Sequence, residues 1–241
     1  MKFPSIRNPF RTLGGPPPDG RLPRAMRRLP LVEERAPEPG RTFAFIFTGD
    51  GNWALLVREL ARELAKGGIS SVGLKARTYL LRRRRPDDVA RHVERVLRHY
   101  LAAWGQDTVV LVGLSRGADL LPFVVRRLPD DLRARVRLLA LFSAGTTTNF
   151  RFHWGDLLGF QERAGDVPVL PELEAVRGSI PILCVNGRHD AQALGPALPA
   201  GLGEYVELDD AGHNLARDHL LAAELILSRI GGEAGTGRAS A

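Results

Sequence analysis

Apolar positions along the chain follow two alternating rhythms. Short stretches of strand character fall at residues 43–47, 69–74, 109–112, 136–142, 180–185 and 204–208; the least interrupted predict strands buried on both faces. Between them the spacing changes to that of amphipathic helices. Leu56, Leu60 and Leu64 recur at i, i+4 and i+8 within a helix expected over 53–66, which Gly67-Gly68 would stop. Pro86-Asp87-Asp88 opens another over 86–104, with Val89, Val93, Val96, Leu97 and Leu101 as its buried stripe. A third helix must run through Phe123-Val124-Val125, and a last one over 215–230 closes the pattern. Pro122 interrupts the third, so the segment should kink there or restart with Asp119 as its N-cap. Strands alternating with helices in this way predict an α/β fold: a mainly parallel sheet with helices on both faces.

The remaining segments are punctuation. Residues 1–28 carry Pro16-Pro17-Pro18-Asp19-Gly20 and no periodicity, and are read as an irregular, basic Pro/Gly-rich leader; the domain is drawn over 29–230, with a loose tail over 231–241. Residues 29–34 suit a short edge strand, since proline is tolerated at edges and strand starts. Residues 77–85 read as a basic loop. Residues 144–178 are the least regular part and hold Phe150, Phe152, Trp154 and Phe160, a candidate cap or pocket wall.

Candidate chemistry sits at one strand end. Residues 109–112 run into Gly113-Leu114-Ser115-Arg116-Gly117, a Gly-x-Ser-x-Gly pattern between a strand and a helix. Such a turn lifts a serine hydroxyl to the top of the sheet, beside helix amides that have no partner inside the helix. In a parallel sheet, reactive groups gather at the carboxyl ends of the strands. Asp190 lies just past the strand at 180–185 and His213 just past the strand at 204–208, so the order Ser115, Asp190, His213 is that of α/β-hydrolases. Serine is a poor nucleophile at its free pKa and needs a base, here His213; Asp190 would fix the imidazole tautomer. The oxyanion donors expected are the N–H of Arg116 and the backbone of Asp50 or Gly51. His219 is a weaker base candidate, Asp209 and Asp210 are rival acids, and His92 and His99 read as solvated helix residues. Ser143 ends a strand outside the Gly-x-Ser-x-Gly frame and reads as a structural hydroxyl.

Composition narrows the picture. The 241 residues suit one domain with a sizeable core, and no stretch is apolar for long enough to span a bilayer. The single cysteine, Cys184, excludes an internal disulfide and lies in an apolar run. The formal charge is +7, and residues 1–41 hold nine basic side chains against four acidic ones. The basic character therefore belongs to the leader, a candidate tether to an anionic membrane together with Arg82–Arg85. Nucleic-acid binding is not expected, because the basic segments lack interleaved aromatics. No phosphate loop, dinucleotide fingerprint or metal-ligand spacing is present, so no cofactor is expected. With no recognisable secretory signal, a cytoplasmic location is the default expectation.

Gly49-Asp50-Gly51-Asn52-Trp53, Gly113 to Pro122 with its Gly-Ala-Asp-x-Leu-Pro extension, and Gly212-His213-Asn214 together resemble the bacterial virulence-factor family VirJ/AcvB over about residues 29 to 228. The resemblance implies an α/β-hydrolase fold, a periplasmic setting, Ser115 as nucleophile, His213 as base, and Asp50, Trp53 and Asp119 about the substrate. It also implies hydrolysis of an aminoacyl ester of a phospholipid headgroup, notably lysyl-phosphatidylglycerol. A cationic aminoacyl group would favour an acidic pocket, which Asp50 and Asp119 could supply. A second reading stays open, a hydrolase-like interaction protein with a vestigial site serving a secretion or envelope assembly.

Overall fold

Residues 22–153, 166–209, 211–213 and 219–231 are described by the computed structural model. Each apolar stretch forms a strand, and the strands lie side by side. They are β1 (Leu31–Glu34), β2 (Thr42–Phe47), β3 (Ser70–Leu74), β4 (Thr108–Leu114), β5 (Val136–Phe142), β8 (Ile182–Gly187) and β9 (Glu204–Leu208), in the spatial order β1-β3-β2-β4-β5-β8-β9. All neighbours pair in parallel except β1, which runs antiparallel to β3 at one edge. That edge place is where Pro30, which has no N–H to give a ladder, does least harm. A small antiparallel pair, β6 (Thr147–Thr148) and β7 (Val167–Pro168), stands apart from the main sheet.

Helices cover both faces because the central strands are apolar on both. On one side α1 (Leu55–Lys66) and α7 (His219–Gly231) bury Leu60, Leu64 and Ile226 against Ile46, Val110, Val112 and Leu183. On the other, α2 (Ala76–Leu80), α3 (Pro86–Ala103), α4 (Arg116–Arg127), α5 (Asp130–Arg133) and α6 (Leu170–Glu174) pack over Phe45, Phe47, Val109 and Leu111. Each leucine so buried contributes about 1.5–3 kcal/mol over leaving it in water. Cys184 lies in this core, and burial pushes its thiol up to about 12, which removes any reactive thiolate at neutral pH.

Three expectations about the elements need correction. Residues 76–80 of the basic stretch are a helix, because Ala76, Tyr79 and Leu80 on one side have core to cover. Helix α4 runs through Pro122 without a break in its assignment and starts at Arg116, so Asp119 lies inside its first turns and not at its cap. The N–H of Asp119 donates to the carbonyl of Ser115 at 3.0 Å, as a helical amide does. The domain edge at residue 29 falls inside packed structure, since Met26 is 2% exposed and belongs to the core. Within the irregular stretch, Phe152 is core and Phe150 meets Phe123 edge-on at 5.2 Å, while Trp154 and Phe160 lie outside the described residues. Among the described residues no helix is long and apolar enough to cross a membrane.

Candidate active site

Parallel strands deliver their carboxyl ends to one edge of the sheet, and three loops at that edge meet. Ser115 stands between β4 and α4 with φ 50° and ψ −120°, a backbone conformation that L residues rarely hold and that persists only where neighbours impose it. The neighbours are backbone. A Cβ on Gly117 would lie 1.9 Å from the carbonyl oxygen of Phe47, and one on Gly113 would lie 2.4 Å from Cα of Ala118. Strand and helix can therefore close on each other only with glycine at both places, which is the physical content of the Gly-x-Ser-x-Gly spacing.

The hydroxyl of Ser115 donates to Nε2 of His213 at 2.8 Å, and Nδ1–H of His213 donates to Oδ2 of Asp190 at 2.9 Å. The Asp190 side chain is 4% exposed and that of His213 is 46% exposed, so a buried carboxylate holds an imidazole whose other face is open. Asp190 is fixed in its turn by its own N–H on the Gly187 carbonyl and by the Gln192 N–H on its Oδ1 at 3.2 Å. The loop of His213 is held to the turn after β8 by the His189 N–H on the carbonyl of Ala211. Chemically the array can take a proton from the hydroxyl and stabilise the resulting imidazolium. Asp209 pairs with Arg188, His219 opens α7, and Asp210 lies outside the described residues. His92, expected in solvent, is half-buried: it bonds the Tyr79 hydroxyl at 2.8 Å, and burial together with Arg84 lowers its pKa.

The turn after β2 comes beside Ser115. A Cβ on Gly49 would lie 3.1 Å from both the Leu114 carbonyl oxygen and Cβ of Ser115. Asn52 shapes this turn from φ 54°, giving its amide to Thr78 Oγ1 and accepting the Thr78 N–H, and Thr48 Oγ1 accepts the Ala76 N–H. Asp50 Oδ2 accepts from the Arg116 guanidinium at 3.2 Å, both side chains being largely buried. Asp119 accepts the Gly145 N–H at 2.7 Å. It keeps some open surface while protein crowds it on its other sides, and that burial raises its carboxyl to about 7 against the pull of Gly145, Arg116 and His213. Trp53 is not at the site: it is 1% exposed and packs on Gly73, where a Cβ would lie 2.1 Å from its ring, so its expected place in substrate binding is overturned by burial. A cavity of about 680 Å³ opens between the amino ends of β5, β8 and β9, at the opposite end of the sheet from Ser115.

Three further side chains support this arrangement. Ser143, at φ 53°, donates its hydroxyl to the carbonyl of His213 at 2.7 Å. Asn186, fully buried, donates to the Ala144 carbonyl and accepts the Gly195 N–H. Asn52 had a signal, an Asn in a Gly-rich turn where left-handed backbone is tolerated. Ser143 was read as a structural hydroxyl, in agreement with this bond, but its partner and the role of Asn186 had no signal, because the contacts are remote in sequence.

Comparison with known proteins places the chain. The family described as bacterial virulence protein (VirJ) matches residues 41–233. Among curated proteins none matches the sequence. Among solved structures, Est1E from Butyrivibrio proteoclasticus with ferulic acid bound is 12% identical, with a TM-score of 0.60 over 83% of this chain and 95% of that one. An alpha-beta serine hydrolase homologue from Coxiella burnetii is 17% identical, with a TM-score of 0.57 over 83% and 90%. The esterase domain of a Rhodothermus marinus protein is 16% identical, with a TM-score of 0.54 over 83% and 89%. At such identities the likeness is one of fold, and the fold is that of the α/β-hydrolases.

Proposed function

The chain belongs to the VirJ family of bacterial virulence proteins, and from that premise we propose that it is a serine hydrolase cleaving an aminoacyl ester of a phospholipid headgroup. The observation that carries the proposal is the hydrogen-bonded run from Ser115 Oγ through the His213 imidazole to Asp190. Ser115 attacks the ester carbonyl while His213 Nε2 takes its proton; Asp190 stabilises the imidazolium. The tetrahedral oxyanion is met by the N–H of Arg116, at the free end of α4, and by a backbone N–H of Asp50 or Gly51. Collapse breaks the bond to the headgroup oxygen, which leaves with the proton from His213. Water then repeats the cycle on the acyl-enzyme, releasing the amino acid and restoring Ser115.

The choice of ester rests on the family and on charge. An aminoacyl group carries an ammonium, and Asp119 with the Asp50 carboxylate supplies negative charge near the nucleophile. Arg116 engages one oxygen of Asp50 and the other oxygen is buried, so Asp119 is what the ammonium would meet, with Asp50 acting through its charge. The enzyme is checked with a fluorophosphonate probe: wild type should label and Ser115→Ala should not, and absence of label on both ends the proposal. The substrate is checked separately by lysine release from lysyl-phosphatidylglycerol vesicles, and labelled protein that releases no lysine loses the substrate assignment alone.

A further inference from the structure

We infer that Ser143 is a positioning residue for the base, setting where the His213 imidazole stands between Ser115 and Asp190. The inference rests on the reading of His213 as base. The observation behind it is a side-chain bond from the neighbouring strand to the backbone of the base itself. Ser143 follows β5 directly, is 4% exposed, and gives its hydroxyl proton to the His213 carbonyl at 2.7 Å.

Its backbone repeats that of the nucleophile one strand away. Ser115 and Ser143 both have left-handed φ, 50° and 53°, and each gives its N–H to a carbonyl in the carboxyl-terminal half of the next strand: Ser115 to that of Phe142, Ser143 to that of Val185, both at 2.8 Å. At residue 115 this conformation throws the hydroxyl out to be used. At residue 143 the same conformation aims the hydroxyl along the edge of the sheet, where it is consumed by the loop that carries the base. A residue other than Gly, Asn or Asp at positive φ costs free energy that must be offset locally, and the bond to His213 is what this one makes.

The two residues that follow complete a joint. The Ala144 carbonyl accepts the Asn186 amide and the Leu194 N–H, which ties the turn to the loop of Asp190. The Gly145 N–H goes to Asp119 on α4, the helix that begins at Ser115. Residues 143–145 thus touch the supports of all three side chains, and Ser143 is the member that reaches the base. His213 needs such a hold because its side chain is half exposed, so packing alone does not fix it. A displacement of about 1 Å at such a centre can cost on the order of 100-fold in rate, falling on kcat when binding contacts are untouched.

The test uses the full chain with p-nitrophenyl acetate as substrate, so it does not depend on the lipid assignment. Ser143→Ala keeps the Cβ and removes only the hydroxyl; kcat should fall about 10- to 100-fold with KM within about twofold. Ser143→Gly also lacks the hydroxyl but relieves the positive φ, so it should melt at or above Ser143→Ala while being equally slow. Ser143→Cys, which keeps a weaker donor of similar shape, should fall between Ser143→Ala and wild type. A merely structural role predicts the other order, with rates following melting temperature and Ser143→Gly recovering. That outcome, or Ser143→Ala within about threefold of wild type, overturns the inference alone. A wild type that hydrolyses nothing and takes no fluorophosphonate label overturns the reading of His213 as base, and this inference with it.

Discussion

Asp119 lies one helical turn after Ser115, with its N–H on the Ser115 carbonyl, and has its carboxyl pushed up toward neutral pH, chiefly by burial. Its folded pKa of about 7 stands above the 3.8 of a free aspartate, so between those values the folded protein binds a proton that the unfolded chain has lost. Stability therefore falls as pH rises from about 4 to about 7 and levels off above, the opposite of an ion-paired carboxylate. Asp119→Asn keeps an oxygen for the Gly145 N–H and removes the titration. The decline in Tm across that window should shrink by a few degrees, given about 2–4 °C per kcal/mol for a domain of this size and partial relief by water on the open side. Curves for variant and wild type that run parallel from pH 4 to 7 would refute this. Such roles were hard to read at single residues. Gly-x-Ser-x-Gly, Asp190 and His213 were legible because a strand end, a chain order and a sheet edge constrain them together. Asp119 was not, because an acidic residue in a first helical turn looks like a cap whether or not its carboxyl turns to another loop. Trp53 misled for a related reason: position in a motif does not tell which way a side chain packs.

At the level of elements, apolar stretches located the inner strands of the main sheet, because strands covered on both faces have little freedom in composition. It also found the buried stripe of α3 and the Leu60 and Leu64 face of α1. It failed where tertiary contacts override local preference. Pro122 leaves the Ala118 carbonyl without its helical donor, yet Leu120, Leu121, Phe123 and Val124 around it are buried, and that packing outweighs a break costing about 3 kcal/mol. The joining of elements is likewise invisible in a linear pattern, and Asn186 is the clearest case. It sits in β8 with no exposure, donates to Ala144 after β5 at 3.0 Å and accepts from Gly195 beyond the Asp190 turn at 3.2 Å. Asn186→Ala would leave the Gly195 amide and a small void in a dry setting. Unfolding in urea should show a loss of about 2–4 kcal/mol, well above a surface change. A loss under about 0.5 kcal/mol would mean that these elements are held together without it.

Over the whole molecule, two apolar layers clamp one sheet, and the question is where the clamp begins. Composition places the start at residue 29, since everything before it is basic, rich in Pro and Gly, and aperiodic. Burial places it earlier. Met26 is 2% exposed among Leu31, Phe43 and the other residues of the layer under α3, with Leu22 and Leu29 packed against the same layer. The segment is pinned by the Met26 N–H on the Pro23 carbonyl, the Leu29 N–H on that of Met26, and the Arg27 guanidinium on that of Leu22. Leu22, Met26 and Leu29 are spread among prolines and arginines in a stretch too short for a period to stand out, which is why the boundary was missed. Removing a buried methionine costs about 2–5 kcal/mol. A chain starting at residue 29 should therefore melt roughly 4–20 °C below one starting at residue 22, and Met26→Ala in the full chain should reproduce most of that drop. If the two truncated chains melt together while Met26→Ala is destabilised, the side chain is replaceable by collapse of its neighbours and the boundary at 29 is the energetic one. If all three match the full chain, Met26 contributes nothing and the basic leader extends, in energetic terms, to the first strand.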